Sequence, residues 1–301
     1  MEIARARWSS SSFLLYAGGL IVLLAAYWAL TILSTDYGSA GLAGWAALVT
    51  VVLLAVAVVL RRGGKPIAAG VFAFVSVLAF AVLVLALERW WGWLPDSASA
   101  FGGTHWALFL AELAVVAAAL AALRVFRFPL LVAVAAAVSW YLVTDLISNG
   151  GDWSATVTFL VGVVFLVIAL RLDRGPSRPY GFWMHVAAGM TIGGSLLWFW
   201  HSGDFEWALV ALAGVLYIGY AWVLDRSSWA VLGAFGLFLA AGHFAAEWGS
   251  AAIAAPFLGD LLSGAGGHRW AGPLVYAFLG FLLVVLGLVV ERRRRTAAAA
   301  V

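Results

Sequence analysis

The stretch PIAAGVFAFVSVLAFAVLVLALERWWGW, residues 66–93, decides the fold class of this chain. Its apolar part matches the hydrocarbon core of a bilayer, which a helix of about 20 apolar residues crosses. A segment in hydrocarbon must satisfy its backbone polar groups internally, and a helix does so. Pro66 suits the first turn of a helix, where its missing N–H has no partner to lose. The stretch therefore predicts a transmembrane helix over residues 66–87.

The same apolar pattern recurs along all 301 residues, of which 65% are apolar and 10% charged. A soluble domain carries about 25% charged residues. The composition therefore excludes a soluble enzyme, a nucleic-acid-binding module and a disordered chain. We expect an all-α polytopic membrane bundle that forms a single domain over residues 1–301. Ten transmembrane helices are predicted, over residues 11–33, 42–60, 66–87, 104–123, 129–147, 155–172, 182–200, 207–224, 229–248 and 270–290.

The basic residues predict the orientation of these helices, because cytoplasmic loops are enriched in Lys and Arg. With a cytoplasmic N-terminus, every basic residue except Arg89 and Arg269 falls in a cytoplasmic segment. We therefore predict a multi-pass protein of the cell (plasma or inner) membrane, with both termini in the cytoplasm. The run Arg292–Arg295 can contact anionic lipid there. The net charge of +3 then needs no nucleic-acid partner.

Four segments share a plan in which a Trp at the outer edge precedes a basic residue at the inner edge. Two interpretations stay open: an internal duplication of helical hairpins, or the general preference of Trp and Arg for the two interfaces. The segments run from Trp45 to Arg61, from Trp106 to Arg124, from Trp153 to Arg171 and from Trp207 to Arg226.

Three further stretches carry a family resemblance. They are FLLYAGGLIVLLAA at 13–26, RSSWAVLG at 226–233 and FLGFLLVVLGLVVERRRR at 278–295. In these stretches the chain resembles multi-pass membrane proteins of actinobacteria that are classed as domains of unknown function. The resemblance extends over most of the chain as a general similarity of sequence character, and its motifs are unspecific. It brings no activity, cofactor or site residue with it.

Ionisable residues inside a membrane are expensive and mark candidate functional sites. Glu112 lies eight residues into the predicted helix 104–123, which places it about 12 Å deep. His105 lies seven residues earlier on the same helix face. Glu112 could bind a proton or cation in a cavity, or it could be a protonated side chain that donates to a neighbouring helix. The transport interpretation requires Glu112 to face the interior of the bundle.

Three more ionisable residues are candidates near the predicted outer surface. Asp145 closes the helix 129–147 and is either part of a polar mouth or a solvated helix end. His243 and Glu247 lie four residues apart on one helix face. They are read as a proton relay, as half of a metal site, or as a pair at a wet helix end. No diagnostic metal-binding spacing occurs, so the sequence does not identify a metal or its ligands.

Two further patterns concern surfaces. Trp90, Trp91 and Trp93 either belong to an aromatic belt or cap a cavity, bind a head group or dock a partner. Gly189 and Gly193 form a GxxxG pair, typical of close helix packing or of a hinge. The outer connection 249–269 predicts a loop with a short interfacial helix.

These observations favour a membrane transport protein, a secondary transporter or a pore for a cation, proton or small solute. Its acidic outer vestibule would lead to Glu112. The alternative is a non-catalytic scaffold or accessory subunit that binds a partner through the Trp-rich outer loops. A third hypothesis is an enzyme that acts on lipids at the outer leaflet. We expect no cofactor, and a homo-oligomer or a protein partner stays open.

Overall fold

The computed structural model describes residues 37–94, 106–147, 150–175, 177–224 and 226–248. All regular secondary structure in these ranges is α-helical, and none of it is strand. The helices are α1 (Gly38–Arg62), α2 (Pro66–Trp90), α3 (Trp106–Phe126), α4 (Leu131–Ile147), α5 (Gly151–Asp173), α6 (Arg178–Phe199), α7 (Asp204–Leu224) and α8 (Ser227–Trp248).

Seven of these eight described helices are long and apolar enough to cross a membrane, and α4, with 17 residues, is shorter. The described ranges are thus all-helical as predicted, and their seven long apolar helices agree with a multi-pass membrane protein. Four predicted features lie outside the described residues: the helices 11–33 and 270–290, the loop 249–269 and the run Arg292–Arg295.

The turn between α1 and α2 shows how the sequence ends one helix and begins the next. Gly64 has a φ of 72°, a left-handed conformation that glycine adopts without strain. The Lys65 N–H donates to the Leu60 oxygen at 2.9 Å, which satisfies a carbonyl at the end of α1. Pro66 then occupies the first position of α2, as predicted. Helices α1 and α2 consequently form a tight hairpin.

The chain divides into two compact units, one up to Ala188 and one from Gly189 onward, so α6 contributes to both. The described part of unit 1 contains α1 to α5, and in its core alanines such as Ala57, Ala73 and Ala119 pack beside larger side chains such as Phe126 and Leu131. Small residues let helix backbones approach closely, which compensates for the lack of a hydrophobic driving force between helices in lipid.

The turn between α3 and α4 packs against α2 through one ring. A Cβ at Gly70 would overlap the side chain of Phe128, so the absence of a side chain makes room for this ring. Pro129 lies in this turn, and α4 begins at Leu131. The helix was predicted to begin at Pro129, and it begins two residues later. The Val132 N–H donates to the Pro129 oxygen in a short turn that precedes the helix.

The described part of unit 2 contains the rest of α6 together with α7 and α8. Helices α7 and α8 approach each other closely at Gly214 and Gly233. A Cβ at Gly214 would lie 2.8 Å from the Gly233 oxygen, and a Cβ at Gly233 would lie 2.5 Å from the Gly214 oxygen. Leu237 is buried beside this contact.

Candidate functional site

Three buried carboxyl groups lie at one end of unit 1. Glu88 lies near the end of α2, Glu112 near the beginning of α3 and Asp145 near the end of α4. Their exposed fractions are 4%, 5% and 1%. Measured along the helices, they lie about 3, 9 and 3 Å from these helix ends. We call this end the tryptophan end, because Trp90 ends α2 and Trp106 begins α3 there.

Two of these acids lie near enough to the third to influence it electrostatically. Glu112 lies within electrostatic range of both Asp145 and Glu88. Tyr141, one turn before Asp145 on α4, has coulombic contacts with Asp145 and Glu112. Neither carboxyl oxygen of Glu112 has a hydrogen-bond partner within the described ranges, nor does Oε2 of Glu88. Because an isolated buried charge is costly, a proton or a cation would neutralise Glu112 favourably.

The structure brings two predicted residues, Glu112 and Asp145, into one cluster and adds a third, Glu88. The sequence analysis did not single out Glu88 as a candidate. Its position along the chain could have indicated it. Consecutive transmembrane helices run antiparallel, so the end of α2 lies at the same side of the membrane as the beginning of α3. His105 lies outside the described residues, so its pairing with Glu112 stays a prediction.

An aromatic cluster covers the same end of unit 1. The ring centroids of Trp91 and Trp93 lie 5.0 Å apart, and those of Trp93 and Trp106 lie 5.3 Å apart. All three rings and Trp90 are about half exposed. The backbone N–H of Trp93 donates to the backbone carbonyl oxygen of Glu88 at 2.8 Å. The turn that carries these tryptophans is therefore the one that ends the helix bearing Glu88.

In unit 2, His243 pairs with a carboxylate from another helix. Its Nε2 lies 3.0 Å from Oδ1 of Asp204, in the first turn of α7. Its ring also stacks on Trp207, with centroids 4.8 Å apart and an interplanar angle of 10°. The predicted partner, Glu247, has its side chain outside the description, so that pairing stays a prediction.

Gly189 and Gly193 both face other helices of unit 2. A Cβ at Gly189 would contact Leu232 and Trp229 of α8, and one at Gly193 would lie 3.4 Å from the Tyr217 hydroxyl of α7. That hydroxyl donates to the Gly189 oxygen at 3.1 Å. A half-open apolar cavity of about 200 Å³ lies beside these residues, between α6, α7 and α8.

No group of three or more His, Asp or Glu side chains in the described ranges is arranged to hold a metal ion. The chain matches no protein-family model, and comparison with curated proteins and with solved structures gives no significant match. The resemblance to actinobacterial membrane proteins stays a prediction.

Proposed function

We propose that this chain is a membrane transport protein that moves a proton or a small monovalent cation through the cluster of Glu88, Glu112 and Asp145. The observation that carries the proposal is Glu112. It is 5% exposed, has no hydrogen-bond partner for either carboxyl oxygen in the described ranges and lies within electrostatic range of two more acids. A side chain with a purely structural role would be expected to have a partner.

The chemistry of transport at this cluster follows from its charge. The negative charge of Glu112 and of the two acids near it favours binding of a positive ion, and binding removes the cost of burying that charge. Release restores that cost, so the loaded and empty states differ in energy and can favour different helix arrangements. Such a difference is the requirement for coupling ion binding to a conformational change.

The direction of access follows from the charge distribution along the chain. By the positive-inside rule, the tryptophan end faces the outside of the cell membrane and both termini lie in the cytoplasm. The cluster then lies beneath an acidic outer surface that attracts cations. The surrounding bilayer, with anionic lipid at Arg292–Arg295, is the expected environment.

The proposal is tested by ion flux in proteoliposomes that contain the purified full chain. A panel of H⁺, Na⁺ and K⁺ gradients is applied to the native protein and to Glu112→Gln, which keeps the size of the side chain and removes its charge. We expect native flux for at least one ion and, for Glu112→Gln, the leak of protein-free liposomes. Asp152→Asn is the matched control, because Asp152 is an exposed acid in the first turn of α5.

Two results would contradict the proposal. The first is flux in Glu112→Gln equal to that of the native chain, because the pathway would then bypass the cluster. The second is no flux by the native chain for any ion of the panel.

A second candidate function has its own supporting observation. The half-exposed cluster of Trp91, Trp93 and Trp106 fits a scaffold or accessory subunit that binds a protein partner at the membrane surface. An aromatic belt explains isolated interfacial tryptophans, whereas rings in mutual contact form a continuous surface. A native chain without flux, together with a complex that Trp91→Ala and Trp93→Ala dissociate, would favour this candidate.

A further inference from the structure

A fully buried histidine contacts an aspartate at the other end of unit 1. His185 of α6 has no exposed surface, and its Nε2 lies 2.9 Å from Oδ2 of Asp173, the last residue of α5. The Asp173 side chain is 20% exposed. The pair thus joins a side chain that reaches water to one that is sealed from it. We call this the arginine end, because Arg171 precedes Asp173 and Arg174 follows it.

Gly181 makes room for the Asp173 carboxylate. A Cβ at Gly181 would overlap Oδ1 of Asp173, so only glycine leaves this space free. Gly181 and His185 lie four residues apart, on one face of α6. One carboxyl oxygen of Asp173 therefore lies over Gly181 while the other contacts the imidazole one turn further along. The helix thus fixes the carboxylate by shape as well as by a hydrogen bond.

The other charged groups at this end of α3 to α6 are cationic. Because these neighbours are all arginines, Asp173 is the acidic group at this end of α3 to α6 that can accept a proton and pass it to His185. The Tyr180 hydroxyl, beside Gly181, donates to the backbone carbonyl oxygen of Arg127 at 3.3 Å. The arginines are all exposed, and they are Arg124, Arg127, Arg171, Arg174 and Arg178.

We propose that Asp173 and His185 form a proton-exchange site at the arginine end, through which protons pass between cytoplasmic water and the interior of the protein. This role rests on the proposed transport function and names the proton as the transported or coupled ion. In the loaded state, the His185 imidazolium donates its Nε2–H to the Asp173 carboxylate.

Unloading this site is a balanced transfer between the two side chains and water. Breaking the Nε2–H bond of His185 forms an O–H bond on Asp173 Oδ2, which leaves a neutral imidazole and a neutral carboxyl group. The carboxyl group then gives the proton to water at the exposed side. Loading follows the same steps in reverse. Histidine suits this task because its imidazole ring can both accept and donate a proton.

The first test measures flux in inverted membrane vesicles, where the arginine end faces the bath, as the bath pH is varied between about 5 and 8. Asp173→Asn keeps an oxygen that can accept from His185 but cannot carry the proton. We expect it to slow flux by at least about a hundredfold, the lower range for loss of a positioned proton-transfer group. Gly181→Ala should slow flux as well, because the added methyl displaces the carboxylate. Asp152→Asn, at the opposite end of α5, should keep native flux.

The second test does not depend on transport. NMR follows exchange of the His185 ring N–H with D₂O in the purified chain, assigned by comparison with His185→Gln. We expect rapid exchange in the native chain and slow exchange in Asp173→Asn, because the exposed carboxylate supplies the route to water. Thermal unfolding of each variant shows that it is folded.

The outcomes separate this inference from the proposed function. Native flux and native ring exchange in a folded Asp173→Asn would overturn the proton-exchange role and leave only a contact that joins α5 to α6. If Glu112→Gln abolishes flux while Asp173→Asn does not, transport stands and the inner site is wrong. If the native chain carries no ion, the transport function is wrong. The ring-exchange comparison then decides by itself whether the pair exchanges protons with water.

Discussion

The contact between α7 and α8 makes a quantitative prediction about packing in unit 2. An alanine at Gly214 would place its Cβ 2.8 Å from the Gly233 oxygen, whereas ordinary contact begins at 3.4 Å. The helices must therefore separate locally by about 0.6 Å, the difference of these distances. The obstructing atom belongs to the backbone of the facing helix, so no side-chain rotation can relieve the overlap.

Two opposing terms set the size of the effect of Gly214→Ala. Overpacking of a tight contact costs about 1–3 kcal/mol. Replacement of a helix-interior glycine by alanine favours the helix by about 1 kcal/mol. The expected net effect is destabilisation by up to about 2 kcal/mol, since the overpacking term is the larger of the two. Gly219→Ala in the same helix is the matched control, because a Cβ there meets no described atom within 4 Å. It should stabilise by up to about 1 kcal/mol.

The assay is reversible unfolding of the purified chain in mixed micelles, followed by circular dichroism for the native protein and the two variants. The refuting result is a Gly214→Ala variant as stable as Gly219→Ala, because the close approach of the helices would then impose no cost. The double variant Gly214→Ala/Gly233→Ala extends the test. Both methyl groups act on one contact, so their effects should not be additive.

Three smaller predictions concern single contacts. Ser76 donates to the Thr50 oxygen at 3.0 Å between α1 and α2, and Ser76→Ala should cost about 0.6 kcal/mol, the average for such bonds in a membrane protein; unfolding in micelles checks it. Gly64→Ala should cost about 1–2 kcal/mol because alanine is strained at its left-handed φ, and the same unfolding measurement would show no loss if the turn relaxes freely. The exposed pair of His243 and Asp204 should show a coupling of about 1 kcal/mol or less in a double-mutant cycle, and a larger value would indicate a buried, functional pair.

The described helices could be predicted from the sequence because their length is set by the bilayer. The stretch that begins at Pro66 was predicted to end at residue 87, and α2 ends at Trp90. The predicted helix 229–248 corresponds to α8, Ser227–Trp248. The differences occur at helix ends, where turn hydrogen bonds rather than hydrophobicity decide the boundary. Helix α2 continues beyond the apolar run and ends where Gly92 adopts a left-handed conformation. The backbone N–H groups of Trp93 and Leu94 there donate to the backbone carbonyl oxygen of Glu88.

The candidate sites were less predictable, because they depend on contacts between residues distant in sequence. Glu112 stood out by its depth in an apolar run, whereas Glu88 directly follows the predicted helix 66–87 and carried no such signal. His243 was paired with the acid four residues away, and the structure supplies Asp204, 39 residues away. Helical spacing shows which side chains share a face, but not which side chain of another helix faces them. The pair of Asp173 and His185 was missed for the same reason.

The stretch of α3 that follows Glu112 bears on how transport could occur. Residues 113–123 of α3 are all Leu, Ala or Val. Glu112 lies 12 residues before Arg124, which corresponds to about 18 Å along the helix. A proton cannot hop across such a length of hydrocarbon side chains without polar groups or water. Side chains of α3 therefore cannot form a fixed proton wire toward the arginine end.

A change in helix packing that admits water alternately from the two ends would meet this constraint. The alanines of the core favour such a change where they lie at helix contacts, because small side chains form shallow surfaces there. Within the proposed function, this reasoning favours a secondary transporter with alternating access over a permanently open pore.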